Sequence, residues 1–207
     1  MLHEIGLIFF ASCFIVYFLL LYNNLRRRKK PNKFHVFRLI YINWVQTRVD
    51  DNSSLAGVQA LRNFIMANST FVSALFILLG ILVGFYNATF FDNMSFFGLS
   101  FITVGLVQIT LNLLVIVFCL FNFILSIRYT ARLSILITGK PHEYAIGKVK
   151  GIEVTTKTLL SAQNHWMLGV RSLFYLIATL IWFVSPILLI VATIAVTFYL
   201  LALHDIV

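Results

Sequence analysis

The chain has 207 residues, of which 60% are hydrophobic and only 11% charged. A soluble domain carries about 25% charged residues, so an ordinary water-soluble fold is excluded. The formal net charge is +9, from 16 Lys and Arg against 7 Asp and Glu, and where those charges fall carries more information than their sum.

The first apolar run is IGLIFFASCFIVYFLLLY at about 5–22, close to the ~20 residues needed to cross a bilayer. No Lys or Arg precedes it, and RRRKK follows at 26–30. That is the pattern of an anchor with its N-terminus outside, not of a cleaved signal peptide. The next segment, 23–63, carries nine basic residues and reads as cytoplasmic. Within it, FHVFRLIYINWVQTR places Phe34, Phe37, Tyr41 and Trp44 at helical spacing, with Arg38 and Arg48 nearby. This predicts an interfacial amphipathic helix. DDNSS at 50–54 then supplies N-cap residues for the next helix.

A second span is expected at about 65–86. On one continuous helix from residue 54, Arg62, Met66, Ser69, Ser73, Gly80 and Gly84 share a narrow stripe, flanked by Asn63 and Thr70. Small residues four apart let helix backbones approach closely in lipid. Gly80 and Gly84 are therefore expected to pack a helix, with a substrate groove as the alternative. Arg62 lies ~36 Å along the helix from Tyr86, at the cytoplasmic headgroup level. The loop 87–98 has no Lys or Arg and holds two glycosylation sequons, at Asn87 and Asn93.

The third span, about 99–127, aligns Gln108, Asn112, Cys119, Asn122 and Ser126 on one face, continued by Thr130. Amide side chains in hydrocarbon need partners. This face should turn inward, toward the second span or a neighbouring subunit. Two readings stand: interhelical bonds worth about 1 kcal/mol each, or the lining of a polar pathway. ITGKPH then reads as a helix stop, with Gly139 near C′ and Pro141 beyond. The segment 128–171 holds the other seven basic residues. From about Thr155 a polar helix runs into a fourth span at 172–203. There Pro186 removes the donor for the carbonyl near Trp182 and should kink the helix. All sixteen basic residues lie on one side, which the positive-inside rule makes cytoplasmic, with both termini outside.

Arg62 and Arg171 sit at the cytoplasmic starts of the second and fourth long helices, whose positive dipole ends attract anions. With Arg128 and Arg132 at the end of the third, they form a candidate anion site for a lipid headgroup or a transported anion. No catalytic, cofactor or metal set is expected. No span carries Asp or Glu, no two His share an i, i+4 face, and HExxH, GxSxG and P-loop motifs are absent from the sequence. Cys13 and Cys119 fall in apolar runs without metal spacing and read as small hydrophobes.

Three stretches resemble a known family. NWVQTRVDDNSSLAGVQALRNFIMANST at 43–70 carries Trp44, Val45, Leu55, Ala56, Gln59, Arg62, Asn63, Met66 and Ala67. FNFILSIRY at 121–129 carries Ser126, Ile127, Arg128 and Tyr129, and WMLGVRSLFY at 166–175 carries Gly169 and Arg171. Together they resemble the four-span membrane proteins catalogued as domain-of-unknown-function family five hundred and ninety-nine. The resemblance covers the chain from about residue 34. It departs at TARLS, where relatives more often have a histidine than Ala131 or Arg132. It implies a four-span fold and no established activity.

The expected fold is therefore all-α: an integral membrane four-helix bundle with cytoplasmic helical extensions, one transmembrane domain over 1–207. The expected location is the cell membrane. The expected function is non-catalytic, by helix assembly as a homo-oligomer or as an accessory subunit of a larger membrane complex. The alternative is a channel or carrier for an anion or small polar solute, lined by Asn63, Gln108, Asn112 and Asn122. The expected partners are anionic lipids on the cytoplasmic face and other membrane subunits, not nucleic acid.

Overall fold

The computed structural model of the chain describes residues 1–26, 33–50, 54–85, 95–146 and 149–205. The basic run at 27–30, most of the cap signal at 50–54 and both sequons lie outside the described residues. The described chain is almost entirely helical. Its elements are α1 (Leu2–Arg26), α2 (Lys33–Asp50), α3 (Ser54–Phe85), β1 (Ser95–Phe96), β2 (Leu99–Thr103), α4 (Val104–Thr138), β3 (Ala145–Ile146), β4 (Val149–Lys150), α5 (Gly151–Ile181), α6 (Pro186–Phe198) and a π-helical segment (Tyr199–Asp205). The strands form two short antiparallel hairpins. Among the described residues, three helices have the length and apolar character to cross a membrane: residues 2–21 of α1, α3 and α4.

The chain divides into two compact units. The first comprises Met1–Lys33, Phe76–Cys119 and Val170–Val207, the second Phe34–Leu75 and Leu120–Gly169.

In the first unit the largest departure from expectation lies in the fourth span. Residues 172–203 are not one kinked helix. α5 ends at Ile181, a turn follows, and Ser185, extended at φ −162°, caps α6 by accepting the Ile187 N–H. The Tyr175 hydroxyl lies 3.1 Å from Thr197 Oγ1, and the Phe174 and Tyr199 rings are 5.4 Å apart. On one continuous helix, residues 175 and 197 would be separated by ~33 Å. α5 and α6 therefore form a helical hairpin, and the chain doubles back at residues 182–185. The physical cause is local. Pro186 has no N–H to extend α5, but its fixed φ suits the first position of a new helix.

α1 packs along α6. A Cβ at Gly6 would lie 3.3 Å from Leu189 Cδ2 and 3.6 Å from the Pro186 carbonyl oxygen, so the glycine permits this close approach. Further along α1, Phe10, Phe14, Tyr17 and Phe18 surround the buried Tyr175 ring at 5.1–6.4 Å. The β1–β2 turn uses Phe97 and Gly98, both with positive φ. Phe97 donates its N–H to Glu4 Oε1 at 2.6 Å, which clamps a backbone conformation that a non-glycine residue rarely adopts.

In the second unit, α2 joins the inner parts of α3, α4 and α5 around Val45, Leu61, Leu133, Ile137 and Leu159, with Tyr41, Trp44, Val49 and Ile152 packed against them. Gly57 is buried where Trp44, Arg48 and Ile137 converge, each 3.8 Å from the position of a Cβ. α5 begins at Gly151, where a Cβ would meet the Tyr144 ring and lie 2.5 Å from the Pro141 carbonyl oxygen. The stop after α4 falls where ITGKPH indicates, but the left-handed residue is Lys140 (φ 51°), one position beyond the expected Gly139.

Candidate functional site

Most of the buried polar groups lie on α4 and α5, which run antiparallel. In the first unit, Gln108 Nε2 donates to the Trp182 carbonyl at 3.0 Å. In an unbroken helix that carbonyl would accept from residue 186, which is proline and has no donor. Gln108 thus caps the end of α5 from the neighbouring helix. One turn along, Asn112 Nδ2 donates to the Gln108 and Thr179 carbonyls at 2.9 and 3.2 Å. The single Thr179 Oγ1 proton has two acceptors in reach, Asn112 Oδ1 at 2.8 Å and the Leu176 carbonyl at 2.9 Å. Gln108, Asn112 and Thr179 are all buried. Farther along, Cys119 is hydrogen-bonded to Ser172.

At the end of α5, the Trp182 indole N–H donates to His3 Nδ1 at 3.2 Å. Since an indole nitrogen is only a donor, His3 Nδ1 is the acceptor. The first turn of α1 is thereby tied to the α5–α6 turn.

The second unit continues the pattern with different chemistry. His165 Nδ1 lies 3.0 Å from Asn122 Oδ1. The amide oxygen can only accept, so Nδ1 carries the proton and Nε2 keeps its lone pair. The imidazole stacks on Tyr129, with centroids 5.6 Å apart and planes 8° from parallel. Ser126 Oγ donates to the Ala162 carbonyl at 3.0 Å, and Thr130 Oγ1 to the Ser126 carbonyl at 2.8 Å. A Cβ at Gly169 would lie 3.1–3.2 Å from the Phe123 ring, so this glycine sets how closely α5 can approach α4 there.

Of the expected polar face of α4, Gln108, Asn112, Asn122 and Ser126 are all buried. Their interhelical bonds run toward α5, where the sequence pointed to the second span or a neighbouring subunit. The expected polar face of α3 is corrected. Asn63, Thr70 and Ser73 are exposed, and Ser69 is half-buried. Thr70 Oγ1 bonds its own helix at the Met66 carbonyl. The buried seam of α3 is Leu61, Asn68, Leu75 and Leu82, seven residues apart. Asn68 Nδ2 donates to the Phe64 carbonyl at 2.9 Å. Gly80 and Gly84 lie on exposed surface, with nothing within 4 Å of a Cβ.

The four arginines do not share one environment. Arg171 is buried, 2% exposed, in the first unit. Arg62, Arg128 and Arg132 are exposed in the second. Among the described residues no group of three or more His, Cys, Asp or Glu is placed to hold a metal ion.

His165, Thr179 and Tyr129 were missed as partners in the sequence. The signal was available: once α4 and α5 are taken as an antiparallel hairpin with Asn112 opposite Thr179, Asn122 falls opposite the region of His165.

An all-α chain with three helices, among the described residues, long and apolar enough to cross a membrane points to a membrane protein. The chain belongs to the DUF599 family of proteins of unknown function, which it matches over residues 5–206. No curated protein and no solved structure matches it.

Proposed function

We propose that this is a non-catalytic protein of the cell membrane that works by assembly, as a homo-oligomer or as an accessory subunit of a membrane complex, with α3 as the docking helix. The observation that carries this reading is the one-sided burial of α3. Leu61, Asn68, Leu75 and Leu82 on one side of the helix are buried, while Ser73, Gly80 and Gly84 on the other are exposed, with open space around both glycines. Small outward residues suit a second helix better than lipid, because backbones can approach closely there.

The competing reading is a channel or carrier for an anion or small polar solute. It is less favoured because its expected lining is already engaged. Gln108, Asn112 and Asn122 each bond to α5, and Asn63 is exposed on the far side of α3 from the buried seam. Flux in proteoliposomes that is lost on Arg62→Ala would restore it.

A five-crossing topology fits the hairpin and the charge distribution best. The 182–185 turn carries no charge, and the 13 residues of α6 with the seven of the π-helical segment approach the ~30 Å of a hydrocarbon core. With the basic residues as far as Lys157 inside, the chain crosses five times, by α1, α3, α4, roughly the last 20 residues of α5, and α6, and the buried Arg171 lies within the fourth crossing. The N-terminus is then outside and the C-terminus inside.

The test is Gly80→Leu with Gly84→Leu. A Cβ at either position has nothing within 4 Å, so thermal stability should be unchanged while oligomer mass or partner recovery falls. Unchanged mass and unchanged recovery would refute the assignment of α3.

A further inference from the structure

The second half of α2 belongs to a packed core: Val45 is fully buried, and Tyr41, Trp44 and Val49 pack beside it. The first half does not. Five consecutive residues, Val36, Phe37, Arg38, Leu39 and Ile40, are exposed, and the four apolar ones are 51–64% exposed. Consecutive residues on a helix point around its whole circumference. These turns are therefore apolar on most of their surface, which water does not favour: each such side chain buried is worth about 1.5–3 kcal/mol.

This surface differs from the one the sequence suggests. Of the expected stripe, Tyr41 and Trp44 face the protein core, Phe37 is outside with Val36, Leu39 and Ile40, and the Phe34 side chain lies outside the described residues.

Two further facts select the occupant. Only residues 27–32 separate α2 from α1, and α1 contains a candidate membrane span. Seven residue steps reach at most about 25 Å, so the start of α2 is tethered within that distance of the end of a membrane-crossing helix. The surrounding sequence is also strongly basic, with Arg26, Arg27, Arg28, Lys29, Lys30, Lys33 and Arg38 and no acid between Asn23 and Arg48. Each basic residue near an anionic leaflet contributes about 1 kcal/mol. An apolar surface held near a bilayer by a basic tether fits a membrane interface, and the positive charge selects anionic lipid.

We propose that residues 36–40 of α2 insert into the headgroup–acyl boundary of an anionic leaflet, with Arg38 reaching lipid phosphate, while the rest of α2 stays in the protein core. This surface is separate from α3, so it stands whether or not the protein assembles.

The experiment uses the full chain with Cys13→Ala and Cys119→Ala, reconstituted in vesicles of phosphatidylcholine alone or with one quarter phosphatidylglycerol. An environment-sensitive fluorophore is placed on Phe37→Cys or, as a control, on Gln46→Cys, an exposed polar position in the same helix. In the anionic vesicles, lipids brominated in the acyl chain should cut the emission at position 37 roughly two-fold, as expected for burial near the acyl boundary, and iodide should have little effect. Position 46 should show the reverse. Adding Arg38→Glu should increase iodide access at 37, and so should removing the anionic lipid. Equal iodide quenching at both positions would overturn the proposal by placing α2 in water. Shielding of position 37 from both quenchers would overturn it in favour of a protein partner. Should the labelled chain fail to fold, the same test is made at Ile40→Cys.

Discussion

Gln108→Leu isolates the reason for the α4 polar seam. The substitution keeps an apolar side chain of similar length and removes one hydrogen bond, the 3.0 Å contact to the Trp182 carbonyl. In an α-helix the donor to that oxygen would be the N–H of residue 186, and Pro186 has none. The change therefore strands a buried carbonyl, which costs about 1–3 kcal/mol. Asn112→Leu removes two contacts with Thr179, yet it strands less. Thr179 Oγ1 keeps its bond to the Leu176 carbonyl, and the Thr179 carbonyl still accepts from Trp182 N at 3.2 Å. Interhelical bonds in membranes average about 0.6 kcal/mol, so Asn112→Leu should cost about 1 kcal/mol. Gln108→Leu should cost about 2 kcal/mol, equivalent to a fall in unfolding midpoint of about 4–8 °C for a chain of this size. Thermal unfolding of both variants in the same detergent decides the matter. A Gln108→Leu protein as stable as the parent, or more stable than Asn112→Leu, would refute the idea that this residue exists to cap α5.

Gly169→Val should lower stability by about 1–3 kcal/mol through overpacking, since even a Cβ would lie 3.1 Å from the Phe123 ring; an unshifted melting curve would contradict that packing. A cysteine placed at Val207 of a Cys13→Ala, Cys119→Ala protein should resist an impermeant maleimide on intact cells and react after permeabilisation. Labelling of intact cells would return the C-terminus to the outside and oppose the five-crossing topology.

The long helices were legible because an uninterrupted apolar run of about 20 residues matches the thickness of a bilayer core and exceeds what a buried soluble helix ordinarily needs. The inward polar face of α4 was legible for a related reason: buried amides require partners. What the sequence did not reveal was the identity of those partners. Periodicity places Gln108 and Asn112 on one face but does not say which helix receives them. The α5–α6 turn was missed because hydropathy runs unbroken through IWFVSPILL, and a proline within an apolar run is ordinarily a kink. Ser185 before Pro186 was the available signal, an N-cap followed by the first position of a new helix. On α3 the small-residue stripe was visible, but whether it faced the protomer or its surroundings required the competing seam of Leu61, Asn68, Leu75 and Leu82. The arginines were grouped by their positions at helix ends, and that grouping carries no information on burial, which separates Arg171 from the other three.

The assembly reading is tested most directly by the mass and composition of the protein after gentle extraction from its native membrane into lipid nanodiscs. A closed homo-oligomer, or a fixed set of co-purifying membrane subunits, is the predicted result, and both should be weakened by leucine at Gly80 and Gly84. A monomer of 23.7 kDa with no stoichiometric partner, at native abundance and in native lipid, would contradict it.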